Sequence, residues 1–434
     1  MTAPEVRWPD SLWAAVTPPG PELPELAGAD TADVIVIGGG FTGLSTALHL
    51  REAGVDVAVV EAMEPGWGAS GRNNGQVIPT LSRVDPEEIV ARHGASGERF
   101  AAMLRDSASA LFDVVKRYQL NAEQEQAGWV QPVHSPGRIR IAERRVRQWG
   151  KLGAPVELLS REQARDMLGS EAWYGGFWNR SGGHINPLAL ARELTRVVVA
   201  QGGRIYARSP VQRFERRGDR WVVKTVRGEI SGRALVVASN AYSGEFSASL
   251  VPDIAREVVP ILSWQMSTQP LSDNVRKTII PARQAMSDTH GELYFARYDA
   301  RDRLITGGAV IGPGDKPARL KARVSERLQR LWPQIGEVKF DHVWNGYVGM
   351  TTDFLPRIHR LGPDAYGWTG CNGRAVALTI PLGNELAKAV RGIPASELAL
   401  PFTAPTPLPL HGILRKLAPL MLLVYRRRDA REIA

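Results

Sequence analysis

Residues 33–61 read DVIVIGGGFTGLSTALHLREAGVDVAVVE. An apolar strand, 34–37, runs straight into Gly38, Gly40 and Gly43 in G-x-G-x-x-G spacing. A helix follows, with Leu44, Ala47, Leu48 and Arg51 in order, and after Gly54 a second apolar strand, 55–60, ends on Glu61. Each residue type has a physical task. Gly38 permits the tight turn, Gly40 lets a pyrophosphate approach the backbone, and Gly43 allows close packing of helix on strand. Phe41 and Thr42 open the helix, whose free N–H groups and positive dipole end suit phosphates. Glu61 can accept hydrogen bonds from both ribose hydroxyls, and its charge would repel a 2′-phosphate. The unit predicts an adenine dinucleotide site and disfavours NADP. By itself it leaves NAD and FAD open.

The chain has 434 residues, 44% hydrophobic and 23% charged, which is ordinary for a globular protein of two or three domains. Its one cysteine, Cys371, excludes a disulfide framework and multi-cysteine metal clusters, and fits a reducing cytoplasm. The N-terminal residues show no signal-peptide pattern, and no apolar run reaches the about 20 residues that span a bilayer. The net charge of +9 comes from arginines scattered along the chain. It predicts a solvated surface that steers anions rather than a nucleic-acid partner. No H-x-x-H, C-x-x-C or H-E-x-x-H pattern occurs, so no metal is expected.

Texture changes along the chain divide it. Residues 1–30 are Pro-rich, without expected regular structure. Residues 62–82 form a Gly/Ser/Asn-rich loop that directly follows Glu61 and so folds back over the cofactor. A helix is predicted over 86–120, and Ser160 with Gln163 forms a capping box. Asn186 and Pro187 open another helix, which ends at Gly202-Gly203. Short strands follow at 204–206, 211–214, 221–225 and 235–238, a parallel strand with an antiparallel excursion and a return. Later segments include strands at 293–298 and 303–306, a helix over 321–332, and a Gly-rich turn at 370–373 leading into a helix that reaches Val390.

Four blocks carry a family resemblance: VIGGGFTGLSTALHL at 36–50, EAMEPGWGASGRNNGQ at 61–76, GGHINPLALARELTRVVVAQGGRI at 182–205 and GWTGCNGRAVALTIPLGNELA at 367–387, with VVASNAY at 236–242 in support. The chain resembles the FAD-dependent D-amino-acid oxidase and glycine/sarcosine oxidase superfamily. Within it, the chain is most similar to γ-glutamylputrescine oxidase-like enzymes. The resemblance implies an α/β fold, with a Rossmann-like FAD domain of glutathione-reductase type interleaved with an α+β substrate domain built on a mixed antiparallel sheet. The expected boundaries are a lead at 1–32, FAD-domain segments at 33–85, 182–247 and 343–395, substrate-domain segments at 86–181 and 248–342, and a tail at 396–434.

The loop after Ala62 exposes backbone N–H groups at Gly68 and Ala69, and Ser70 and Arg72 can bind pyrophosphate oxygens. The resemblance sets Asn74, Gly75 and Gln76 beside the flavin, the Val211 backbone at the adenine, and Ser239 and Asn240 at the cofactor edge. It also sets a helix N-terminus, from Gly370, Asn372, Gly373, Arg374 and Ala375, against the flavin C2 carbonyl. Two departures matter. Gly346 stands near the place where some relatives carry a flavin-linked cysteine, so the FAD is expected to be non-covalent, with Cys371 a small packed residue. Ala377 stands where sarcosine oxidase relatives place a carboxylate-binding lysine, and the oxygen-activating lysine has no counterpart at 304–308.

The expected reaction is oxidation of an amine C–N bond by hydride transfer to flavin, giving an imine that water hydrolyses. Oxygen or a quinone-type acceptor closes the cycle, and a place in polyamine or amino-acid catabolism follows. The alternatives are a sarcosine, pipecolate or D-amino-acid oxidase or dehydrogenase, and a non-redox dinucleotide-binding module. Candidate catalytic residues are Tyr294, Tyr347 and Arg374, and Tyr298 lies in a segment that could also face the ring. The tail at 410–428 has apolar residues at helical spacing followed by three arginines. It predicts a helix packed on the body, with a membrane-surface helix as the second reading.

Overall fold

The structure, a computed structural model, describes residues 6–246, 250–309 and 315–433. The opening motif folds as expected. Strand β1 (Gly28–Ile37) is followed by helix α1 (Phe41–Glu52) and strand β2 (Val57–Val60), which pairs parallel with β1. Helix α2 (Pro187–Ala200) leads to strand β3 (Arg204–Tyr206), parallel to β2. An antiparallel excursion, Arg213–Arg217 and Arg220–Lys224, returns through β4 (Gly228–Val237), which pairs parallel with the other edge of β1. Strand β5 (Ala365–Thr369) adds to β4, and helix α3 (Thr379–Val390) packs on α1.

The physics of this layer is burial from both sides. All four residues of β2 are buried, and α1 is buried almost all round because it lies beneath α2 and α3. Such strands therefore read as continuous apolar runs rather than alternating ones. Each fully buried Val, Leu or Ile here contributes roughly 1.5–3 kcal/mol.

The second layer is an eight-stranded sheet in the order Phe340–Met350, Val259–Pro270, Arg303–Gly308, Phe295–Tyr298, Ala285–Ser287, Trp129–Pro132, Gly176–Asn179 and Val156–Leu159. Only the Ala285–Ser287 and Trp129–Pro132 pair is parallel, so the sheet is mixed and mainly antiparallel.

Several expected boundaries move. β1 starts at Gly28, inside the Pro-rich lead, because Gly28 already pairs with Gly228. The lead is not without regular structure: Ser11 caps a short helix, Leu12–Val16, whose Leu12 and Trp13 are fully buried. Residues 343–350, expected in the FAD domain, belong to the second sheet, where Phe340–Met350 pairs with Val259–Pro270. Phe402–Thr403, expected in the tail, pairs with Arg357–Gly362 at the edge of the first sheet. The expected boundary at 247/248 lies outside the described residues.

Local readings shift less. The long helix is Pro86–Arg117, kinked at Gly94, whose φ is 54°. The helix expected over 321–332 starts earlier, at Lys316, because the Asp315 carboxylate accepts from the Ala318 N–H. The Ser160–Gln163 capping box and the Asn186 cap form as read.

Candidate active site

At the end of β1, Gly38 leaves the strand at φ 107°. A Cβ on Gly43 would lie 1.9 Å from the Gly38 carbonyl oxygen, so only glycine lets α1 start this close to the strand. Gly40 is the N-cap, and no side chain caps the helix from that position. Instead the Phe41 N–H donates to Ser70 Oγ at 2.9 Å, which folds the loop back onto the helix N-terminus. Glu61 accepts from the Gly39 N–H at 2.6 Å and from the Met63 N–H at 2.9 Å. Desolvation pushes its carboxyl above the ordinary range, while the N–H groups of Met63, Gly39 and Ala62 pull the other way.

One cavity runs from this turn to the second sheet, touching Glu61 and Val211 at one end and Gln265 and Glu292 at the other. Four buried polar atoms on residues along it have no hydrogen-bond partner: Thr42 Oγ1, Gln76 Oε1, Gln265 Oε1 and Trp368 Nε1. An unpaired buried polar group costs roughly 1–3 kcal/mol. Four along one cavity mark where a polar ligand completes the structure.

The middle of the cavity is aromatic. Tyr242 and Tyr347 pack edge to face with centroids 5.5 Å apart, and Tyr242 also meets Trp67. The Arg72 guanidinium lies 4.2 Å over Trp67 and donates to the Trp67 carbonyl at 2.7 Å. Burial lowers its pKa, and among the described residues Arg72 has no ion pair. No histidine or lysine among the described residues lines the cavity.

A match to the family described as FAD dependent oxidoreductase (DAO) covers residues 33–389. The chain belongs to this family of FAD-dependent oxidoreductases. It is 32% identical over 364 residues to the gamma-glutamylputrescine oxidoreductase of Escherichia coli K12, covering 83% of this chain and 84% of that protein. It is 29% identical over 399 residues to a probable oxidoreductase, OrdL, of Rhizobium meliloti, covering 88% of each. Among solved structures, L-proline dehydrogenase from P. horikoshii superposes with a TM-score of 0.70 at 21% identity, over 85% of this chain and 94% of that one. Glycine oxidase from Geobacillus kaustophilus superposes with a TM-score of 0.70 at 19% identity, over 83% and 95% of the two chains.

The cofactor of this DAO-family chain is FAD, and the chain oxidises a C–N bond of an amine or amino-acid substrate. That sets aside the non-redox nucleotide-binding module. The cavity fits the group. Glu61 would hold the ribose, Thr42 and Ser70 with the α1 N-terminus would meet the pyrophosphate, and the orphaned Gln76 Oε1 is free for the flavin side. Gly68, Ala69, Asn74, Ser239, Asn240, Gly373 and Ala375 line the same cavity.

Four residues expected at the cofactor do not line it. Gly43 packs on Gly38 and Gly75 on Arg297 and the Ile185 carbonyl. The Gly370 N–H donates to Asn240 Oδ1 at 3.2 Å, and the Asn372 side chain binds Thr351. The helix expected to start at Gly370–Gly373 is α3, which starts only at Thr379, after a turn in which the Thr379 N–H reaches the Ala375 carbonyl. Cys371, expected to be a small packed residue, packs partly buried against the core; it also lines the cavity and accepts from the Gly349 N–H at 3.2 Å.

The catalytic candidates separate. Tyr347 lines the cavity. Tyr294, just before the strand Phe295–Tyr298, does not: it stacks on His290 with the Arg327 guanidinium 4.4 Å from its ring centroid, while its neighbours Leu293 and Phe295 line the cavity. Tyr298 is fully buried, its hydroxyl donating to the Ile279 carbonyl. Arg374 lines the cavity, but its guanidinium lies 4.8 Å over Trp129 and donates to Thr80 and Leu81. Desolvation, then the charge of Arg145, takes its pKa well below the ordinary value. It packs this wall rather than facing substrate.

Sequence reasoning missed Tyr242, Glu292 and Gln265. Tyr242 closes the VVASNAY block, which was a usable signal. Glu292 and Gln265 had none, because a loop and a strand far apart in the chain bring them together.

Proposed function

We propose that the protein oxidises a γ-glutamyl amine or a related primary or secondary amine. The observation that carries this reading is the 32% identity to gamma-glutamylputrescine oxidoreductase across most of both chains. The substrate side of the cavity supports it. Ala377, which stands where sarcosine oxidase relatives place a carboxylate-binding lysine, is fully buried and lies off the cavity. A small α-amino acid therefore lacks that anchor.

Farther out, Glu292 lines the cavity between Arg426, at 2.6 Å, and Arg323, which also donates to the Ala309 carbonyl. This mixed-charge cluster suits the zwitterionic head of a long γ-glutamyl amine, whose reacting amine then reaches the aromatic middle.

Bound FAD supplies the two-electron acceptor for the C–N bond. The chain's own part is positioning. Tyr242 and Tyr347 wall the amine, and Ile261, Leu262 and Phe295 keep water away. The amine binds deprotonated, and orientation rather than a strong protein base then suffices. Oxygen or a quinone-type carrier takes the electrons onward.

The test is anaerobic bleaching of the flavin by a panel of γ-glutamylputrescine, putrescine, sarcosine, pipecolate and D-amino acids. Bleaching by γ-glutamylputrescine is expected. Bleaching only by sarcosine, pipecolate or D-amino acids refutes this reading, and peroxide release in air separates oxidase from dehydrogenase.

A further inference from the structure

The C-terminal tail is turned inside out for a packed helix. A helix lying on a protein body normally buries its apolar stripe. Here the helix Met421–Ile433 docks through charge: Asp429 Oδ2 accepts from the Gly291 N–H at 2.7 Å, Arg426 holds Glu292, and Glu432 is held by Arg138 at 2.6 Å. Its Met421, Leu423 and Val424, with the apolar residues of the preceding helix His411–Leu417, face outward. Leu410, Ile413, Leu417 and Val424 are each more than half exposed, and Leu414, Leu420, Met421 and Leu423 only slightly less. Apolar side chains gathered on one surface in this way mark an interaction face.

The rim of this face is basic. Arg415, Lys416, Arg427 and Arg431 are exposed, and none has an ion pair among the described residues. We propose that this tail docks the protein peripherally on an anionic lipid surface. Leucines enter the headgroup boundary, and the long basic side chains reach lipid phosphates. No helix among the described residues is long and apolar enough to cross a membrane, so the contact is a surface one. A second copy fits less well, since a twofold contact would set these unpaired cations against their own equivalents. The arrangement also has a consequence for the site. Leu422 lines the active-site cavity, so the bilayer would lie beside its mouth.

The experiment is sedimentation of the full-length, FAD-loaded protein with vesicles of phosphatidylcholine alone and with vesicles also holding phosphatidylglycerol. Wild type is expected to pellet with the anionic vesicles and, because the attraction is screened, to release at high salt. The double variant Leu417→Asp with Leu423→Asp should lose at least roughly tenfold in pelleting. Its flavin absorbance and melting temperature should be unchanged, because neither side chain contributes to the buried core. A second variant, Lys416→Glu with Arg427→Glu, should lose the preference for anionic vesicles. Absence of wild-type pelleting, or equal pelleting of wild type and the Leu417/Leu423 variant, overturns the proposal. So does a wild-type dimer that this variant converts to monomer without any vesicle binding, which would assign the face to a second copy.

Discussion

The Gly39 N–H donates to Glu61 Oε2 at 2.6 Å, joining the glycine turn to the acid that ends the next strand. With Met63 holding the other oxygen, the carboxylate is aimed before any ribose arrives. Replacing it with Gln keeps the shape and removes the charge. Glu61→Gln should weaken FAD binding by roughly 10–100-fold, the value of about 1.5–3 kcal/mol for a hydrogen bond to a charged group. Titrating apo-protein with FAD by flavin fluorescence quenching measures this.

The same carboxyl has a pH signature. Desolvation raises its pKa in the folded apo-protein. The folded state then holds its proton more tightly than the unfolded chain, so stability is full below the unfolded value and falls as pH rises through the folded one. Apo Glu61→Gln should escape that loss and melt no lower than wild-type apo-protein at neutral pH. A mutant that melts lower there would contradict the desolvation account.

Gly43→Ala tests the close approach of helix and strand. The added Cβ would meet backbone at 1.9 Å, so α1 must shift. A loss of about 2–4 kcal/mol and poor FAD retention are expected, read by thermal unfolding and by the flavin-to-protein absorbance ratio.

The two faces of the tyrosine-bearing segments make opposite predictions. Tyr242→Ala removes one side of the edge-to-face pair with Tyr347 and should lower kcat/KM for the amine by about tenfold or more. Tyr294→Phe keeps the stack on His290 and should leave kcat/KM within about twofold. Steady-state kinetics with the substrate identified by flavin bleaching decide both.

His134 predicts an acid-side transition. Desolvation first, then the charges of His290 and Arg138, lower its pKa from 6.5 to about 4 against the pull of Asp288 and Asp429. The unfolded chain therefore takes up this proton before the folded one does. Stability should decline as pH falls from 6.5 to about 4, and His134→Gln should flatten that part of the melting-temperature profile.

How much of this was legible depended on the range of the interactions. The turn from Gly38 to Gly43, the Glu61 acid and the Ser160 and Asn186 caps are decided within a few residues, and each formed as read. The side a residue faces was not legible. Tyr294 and Phe295 are neighbours, yet only Phe295 lines the cavity. The strand Phe340–Met350 looked like part of the nucleotide half by texture and joined the other sheet by pairing.

The sequence by itself determined the dinucleotide unit, because phosphate and ribose recognition is built from one turn, one helix end and one acid along a short stretch. It determined the family and its FAD from the blocks spread over 36–387. Only the tertiary structure decided the substrate side. Tyr242 meets Tyr347, Glu292 meets Arg426, and Gly370 meets Asn240 across long spans of chain. Which face of the tail looks outward was likewise set by the surface it docks on, since amphipathic spacing defines two faces without saying which one the body takes.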